Sequence, residues 1–172
     1  MKSLVIIISA MIFSTVHSQT KPSVVKAVDL RRYAGTWYEI ARLPNTFEKG
    51  LKCITATYEL REDGRITVIN RGHKISDPGK VSAVKGVAWL PDKTITSKLK
   101  VQFFWPFSGD YWIMELDSDY RYALVGDPSF KYLWILSREK KMDEATIKKL
   151  LDRATDNGFD VKPIIRVEHD CR

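Results

Sequence analysis

The residue types that most often carry catalysis are few in this chain and poorly placed for it. Its three histidines, His17, His73 and His169, fall in an apolar leader, a loop and the C-terminal tail, and none stands at a readable spacing from a nucleophile. The two that remain once a leader is removed are far apart in sequence, so no metal-ligand motif forms. Cys53 and Cys171 are the only cysteines, and nothing near Cys53 looks like the base that a thiol nucleophile needs. No catalytic residue, metal site or cofactor is expected. What the chain offers instead is aromatic rings and cations at strand ends. Gly35-Thr36-Trp37-Tyr38-Glu39-Ile40-Ala41-Arg42 opens a strand with a Trp close behind a Gly, and Tyr132-Leu133-Trp134-Ile135-Leu136-Ser137-Arg138 closes another with an Arg. If these are the first and last strands of a closed antiparallel sheet, Trp37 and Arg138 meet at one rim. A guanidinium over that indole is a cation–π contact worth about 0.5–2 kcal/mol.

The elements that must position these groups are short and strand-like. After Gly35, runs rich in β-branched and aromatic residues occur at Ile54–Arg61, Arg65–Arg71, Val81–Leu90, Ile95–Trp105, Tyr111–Leu116, Tyr122–Gly126 and Phe130–Ser137. Asp63-Gly64, Pro91-Asp92 and Asp127-Pro128 punctuate them as turns. With the opening strand this predicts an all-β, eight-stranded, antiparallel up-and-down β-barrel. Only after it does the period change. Asp143 caps a predicted helix with Ile147, Leu150, Leu151 and Ala154 on one face and Lys148, Lys149, Asp152 and Arg153 on the other, ended by Asn157-Gly158. That helix is expected on the outside of the barrel. Val161–Val167 is a last extended piece.

Alternation sorts the strand residues. Lys100 and Gln102 in water put Leu99, Val101 and Phe103 inside; Lys85 outside puts Val84, Gly86 and Ala88 inside. The same parity turns Ala56, Tyr58, Val68, Asn70, Tyr132, Trp134 and Leu136 inward, and Tyr111 and Ile113 if Trp112 is outside. Gly86 and Ala88 are expected to leave room on one wall. The resulting lumen is apolar with a few phenols and one amide, which suits an elongated hydrophobic ligand; a filled core remains the alternative. Strand counting places Leu43–Lys52, Gly72–Lys80, Trp105–Asp110 and Asp127–Phe130 at the end opposite Trp37. These loops hold Phe47, Leu51, Trp105, Phe107 and Phe130 with Lys49, Lys52, Lys74 and Lys80. Such tips suit peripheral contact with an anionic membrane, or a lid.

Residues 1–18 read as a signal peptide, with Lys2, an apolar Leu4–Val16 run too short to span a bilayer, and Val16-His17-Ser18 before the cut. Residues 19–172 then form the single domain. No Cys follows the leader, so the exported chain is expected to be periplasmic or secreted, at most peripheral to the outer membrane, and not lipid-anchored. Export favours a Cys53–Cys171 disulfide. Of the formal charge of +7, removing Lys2 leaves +6. That favours acidic partners, although the basic residues are scattered as on an ordinary solvated surface; nucleic acid is not expected.

Taken together, these residues resemble the lipocalin family. Gly35-Thr36-Trp37-Tyr38 is similar to its first motif, Asp119-Tyr120 before Tyr122-Ala123-Leu124-Val125 to its second (with Ser118 where Thr is common), and Arg138 to its third. Within the family the likeness is to the bacterial outer-membrane lipocalin and apolipoprotein D group, carried by Gly35–Arg42, Phe103-Phe104-Trp105-Pro106-Phe107, Tyr132–Arg138 and the cysteine pair. The resemblance implies a calyx for a fatty acid, lysophospholipid or similar lipid, serving envelope maintenance or stress. It implies Tyr33, Tyr58, Asn70, Phe103, Tyr111 and Trp134 as pocket positions, to which alternation adds Val68 and Val101. Gly35, Trp37 and Arg138 are the expected closure. A carrier of haem or another pigment, and a lipocalin-fold enzyme acting on a lipid, are the alternatives; a monomer or weak homodimer is expected.

Overall fold

The structure, a computed structural model, describes residues 21–171. The signal peptide assigned to residues 1–18, the domain boundary after it and the expectation of no lipid anchor lie outside the described residues. Among the described residues nine strands and two helices follow in the order α1 (Leu30–Tyr33), β1 (Gly35–Arg42), β2 (Leu51–Leu60), β3 (Ile66–Lys74), β4 (Asp77–Trp89), β5 (Lys98–Phe104), β6 (Phe107–Leu116), β7 (Tyr122–Gly126), β8 (Leu133–Ser137), α2 (Glu144–Asp156) and β9 (Ile165–Arg166). Each of β1 to β7 pairs antiparallel with the next, and β1 pairs with both β2 and β8, which closes the expected eight-stranded barrel. The short β9 adds to β1 at Ala41 and Arg42, beyond the stretch where β1 pairs with β2.

Several boundaries differ from the sequence reading for local reasons. The lead-in before Gly35 contains α1, a single turn started by Asp29, whose side chain accepts the Arg31 N–H; one turn is too short to show a 3.6-residue period. The run from Ile95 becomes strand only at Lys98, because Asp92 gathers Thr94 and Ile95 into a turn. The run from Phe130 becomes strand only at Leu133. Asp127 accepts from the backbone of Ser129 and Tyr132, Phe130 adopts φ +62°, and its ring packs on Phe159. Phe130 therefore belongs to the outer wall and not to the mouth. Of Val161–Val167, only two residues pair as strand.

Two apolar clusters flank the wall. Trp37, Tyr58, Val68, Leu99, Ile113, Val125 and Leu136 belong to the inner one, the lumen. Ile40, Met114, Leu124, Leu133 and Ile135 belong to the outer one, where they meet Ile147, Leu150 and Ala154 of α2. Asp143 accepts the Thr146 N–H as the N-cap of that helix. The Cys53–Cys171 disulfide ties the tail to β2 across 118 residues. The Val167 N–H donates to the Ile40 carbonyl, and the Cys53 N–H donates to the Glu168 carbonyl.

Candidate functional site

The barrel has one sealed end. Arg138 lies 3.8 Å from the Trp37 ring centroid. Its Nη2 donates to the carbonyls of Arg32, Tyr33 and Ala34, and its Nη1 to that of Thr36. One guanidinium thus satisfies the carbonyls that a single-turn helix leaves orphaned. Gly35 makes room for it: φ is +94°, and a Cβ there would lie 3.3 Å from Arg138 Nη1. Trp37 is fully buried, and its indole donates to the Tyr33 carbonyl at 2.8 Å. Tyr120 joins the seal, stacked under Arg32 at 4.1 Å and bonded through its hydroxyl to the Asp29 N–H.

Above the plug three phenols meet. Tyr33 and Tyr111 hydroxyls are 2.7 Å apart, and the Tyr58 hydroxyl donates to Tyr111 at 2.8 Å. Burial pushes all three well above the usual phenol range, so each is a neutral O–H group. Two bonds use two of three phenol protons, which among the described residues leaves one for another acceptor. Further up, Val101, Phe103 and Trp134 pack against the same inner cluster as Val68. Asn70, the register partner of Ala56, has a buried Oδ1 without a hydrogen-bond donor among the described residues. The room expected at Gly86 is taken: a Cβ there would lie 2.7 Å from the Phe103 ring, which covers the glycine. Ala56, Val101, Phe103, Tyr111 and Trp134 nevertheless stay partly accessible, although they face inward.

Charge also enters the lumen, where the sequence reading placed none. Glu39, Arg42 and Glu48 are 3%, 4% and 6% exposed. The register shift between Glu39 and Ala41 turns Glu39 and Arg42 to one face, opposite Leu136 and Trp134 respectively. Arg42 Nε is 3.0 Å from Glu39 Oε1 and 3.5 Å from Glu48 Oε2. Burial, then the neighbouring Glu48, raises the Glu39 carboxyl well above the usual carboxylate range. Glu39 was legible: the parity that turns Trp37 inward turns Glu39 inward as well. The bulge that adds Arg42, and the loop that brings in Glu48, left no periodic signal.

The other end is open. The β4–β5 ladder is confined to Val87–Trp89 against Lys100–Gln102, toward the sealed end. Phe47, Ile75, Val81, Phe104, Trp105 and Phe107 stand exposed around this mouth. Tyr132 is a correction. It lies above the β8 ladder, 38% exposed, and stacks on Trp134 at the rim instead of lining the lumen. Leu51 is partly buried against Gly72, and Lys52 is ion-paired with Asp170 at 2.8 Å, so neither is a free tip. Two grooves on the outside, one beside α2 at Glu115 and one between Tyr38 and Lys140, do not communicate with this lining.

The sequence model of a family described as a lipocalin-like domain matches residues 28–169. The outer membrane lipoprotein Blc of Escherichia coli (strain K12) is 45% identical over 146 residues, covering 85% of this chain and 82% of that protein. Apolipoprotein D of Macaca fascicularis is 38% identical over 151 residues, covering 83% and 78%. Among solved structures, insecticyanin from the tobacco hornworm Manduca sexta superposes with a TM-score of 0.67 at 24% identity, over 86% of this chain and 83% of that one, which is a likeness of fold.

Proposed function

This chain belongs to the lipocalin family, and on that premise we propose that it binds, stores or transports a small hydrophobic ligand in the barrel lumen: a fatty acid, a lysophospholipid or a similar lipid. One observation carries the reading. Inward-facing apolar side chains that would be sealed in a filled core stay partly accessible. Burying an acyl chain against Val68, Val101 and Phe103 at about 0.8 kcal/mol per CH₂ supplies micromolar binding or better after ordering costs. The phenols of Tyr33, Tyr58 and Tyr111 and the amide of Asn70 offer polar contacts to the ligand. The role is that of a binding protein, with no turnover assigned to it. Native mass spectrometry of the refolded protein mixed with palmitate or a lysophospholipid is expected to show a one-to-one complex; a spectrum holding only the free protein overturns the reading.

The mouth supports a second part of the same function. Phe104, Trp105 and Phe107 on the β5–β6 hairpin and Phe47 on the β1–β2 connection are exposed, as are Lys49 and Lys80. We propose that this rim touches an anionic bilayer peripherally when ligand is exchanged. The likeness to a protein named as an outer membrane lipoprotein supports export to the envelope, with service in envelope lipid maintenance. Flotation with vesicles containing anionic lipid is expected to carry the protein up, less so for Trp105→Ser, and not at all if the rim stays in water.

A further inference from the structure

Two hydrogen-bond donors and a guanidinium nitrogen, from β8, the β1–β2 connection and the end of β1, surround one carboxylate oxygen inside the barrel. Glu48 Oε2 lies 2.5 Å from Asn45 Nδ2, 3.2 Å from Trp134 Nε1 and 3.5 Å from Arg42 Nε. Trp134 and Arg42 belong to the wall. Glu48 does not: it is carried in by the connection between β1 and β2, which folds back on itself as Asn45 Oδ1 accepts the Glu48 N–H at 2.8 Å and Arg42 Nη2 donates to the Glu48 carbonyl at 3.2 Å. Burying ionised groups this deeply is costly unless they are paired and hydrogen-bonded, and the pairing here is incomplete. Arg42 Nε and Glu39 Oε1 are an ion pair at 3.0 Å, but the N–H is not aligned with either acid, so among the described residues neither atom has a hydrogen-bond partner. A buried guanidinium N–H without an acceptor, beside an indole N–H and an amide, is a donor set built for an oxyanion.

We propose that Arg42, Trp134 and Asn45 form the site for the anionic head of the ligand, a carboxylate or a phosphate, and that the Glu48 carboxylate occupies it until that head replaces it. The inference rests on the carrier reading and names the head group it selects. Glu39 does not fill the role itself, because burial and Glu48 hold its carboxyl toward the neutral acid. Displacement also frees the Phe47–Glu48 part of the connection, while Asn45 stays with the head. Phe47, one residue before Glu48, leans on Tyr132 and Trp134 with ring centroids 5.7 and 6.4 Å away, so the head that takes the donors also frees the aromatic cover above them.

Glu48→Gln tests this, since it keeps the side-chain shape and one acceptor oxygen while removing the competing charge. Binding of palmitate, palmitoyl lysophosphatidate and hexadecanol to the whole protein is measured by calorimetry. The variant is expected to bind one or both anions about tenfold more tightly, and hexadecanol within about twofold of the parent; which anion responds identifies the head group. Trp134→Phe, which keeps an aromatic ring and loses the N–H, is expected to weaken the same anion at least about threefold more than it weakens hexadecanol, and that difference decides the matter if Glu48→Gln does not fold. Equal shifts for all three ligands, or no shift in a folded variant, overturn the proposal. Failure of the parent protein to bind any of the three instead overturns the carrier reading beneath it.

Discussion

The wall made by β1, β7 and β8 has two apolar faces built from one alternating pattern, and they are finished in opposite ways. On the outer face Ile40, Leu124, Leu133 and Ile135 meet Ile147, Leu150 and Ala154. The contact is so close that a Cβ on Gly126 would lie 2.7 Å from the Phe159 ring and 2.9 Å from Met114 Cε. On the inner face Trp37 and Leu136 are sealed at the base, yet Trp134 remains partly accessible, as do Val101 and Phe103 of β5, which share the lumen with it. Alternation makes both faces greasy; what differs is whether the chain supplies a partner. It supplies α2 outside and leaves the inside to a ligand.

The largest expected effect breaks or sharpens that contrast directly. Leu150→Ala removes a fully buried side chain from the outer face and is expected to cost about 2–5 kcal/mol in urea unfolding. Val101→Ala, a smaller truncation on the accessible inner face, is expected to cost under about 1 kcal/mol while weakening lipid binding. A Val101→Ala loss as large as that of Leu150→Ala would mean that the lumen is a packed core.

The next effect belongs to the base, where the two faces join. Arg138→Ala deletes the cover of Trp37 and the donors to five carbonyls, and is expected to lower stability by about 2–4 kcal/mol. Arg138→Lys should recover only part of it, because an ammonium lacks the planar fork. Full recovery by Lys would show that charge alone closes the barrel.

The smallest effect is in acid. Asp117, in the turn beside Tyr120, is held at about 2, below its ordinary 3.8, chiefly by its hydrogen bond with Arg121. A depressed folded value makes the contribution complete above about pH 4 and lost as pH falls toward about 2. Because the Arg121 side chain is 68% exposed, solvent screening limits it to about 1 kcal/mol. Asp117→Asn should flatten that part of the pH–stability curve, and an unchanged acid limb would remove Asp117 from the account.

Much of this contrast is legible in the sequence. Period-2 runs with Asp63-Gly64 and Asp127-Pro128 between them mark the strands, and the change to a 3.6 period at Ile147, Leu150 and Ala154 marks the helix, because both periods follow from backbone geometry alone. The same alternation put Val68, Val101 and Phe103 on one face. It failed where the charge rule overrode it: Glu39 alternates with Trp37, but a carboxylate is ordinarily assigned to water. It failed again at Arg42, where the register shift after Glu39 changes the parity, and at Glu48, which a loop delivers. Tyr132 was misplaced for a simpler reason. It has the parity of Trp134 but lies above the last ladder pair, Gly126 with Leu133, where a side chain no longer faces a lumen.

The central claim is that the inner face is unfinished until a lipid completes it. The most direct measurement is a calorimetric titration of palmitate into the parent protein and into Ala56→Trp, which fills the lumen beside Asn70. The account predicts one-to-one binding at micromolar affinity or better for the parent and at least about a tenfold loss for a variant that still folds. Equal binding by both proteins would place the ligand somewhere other than the barrel and contradict the claim.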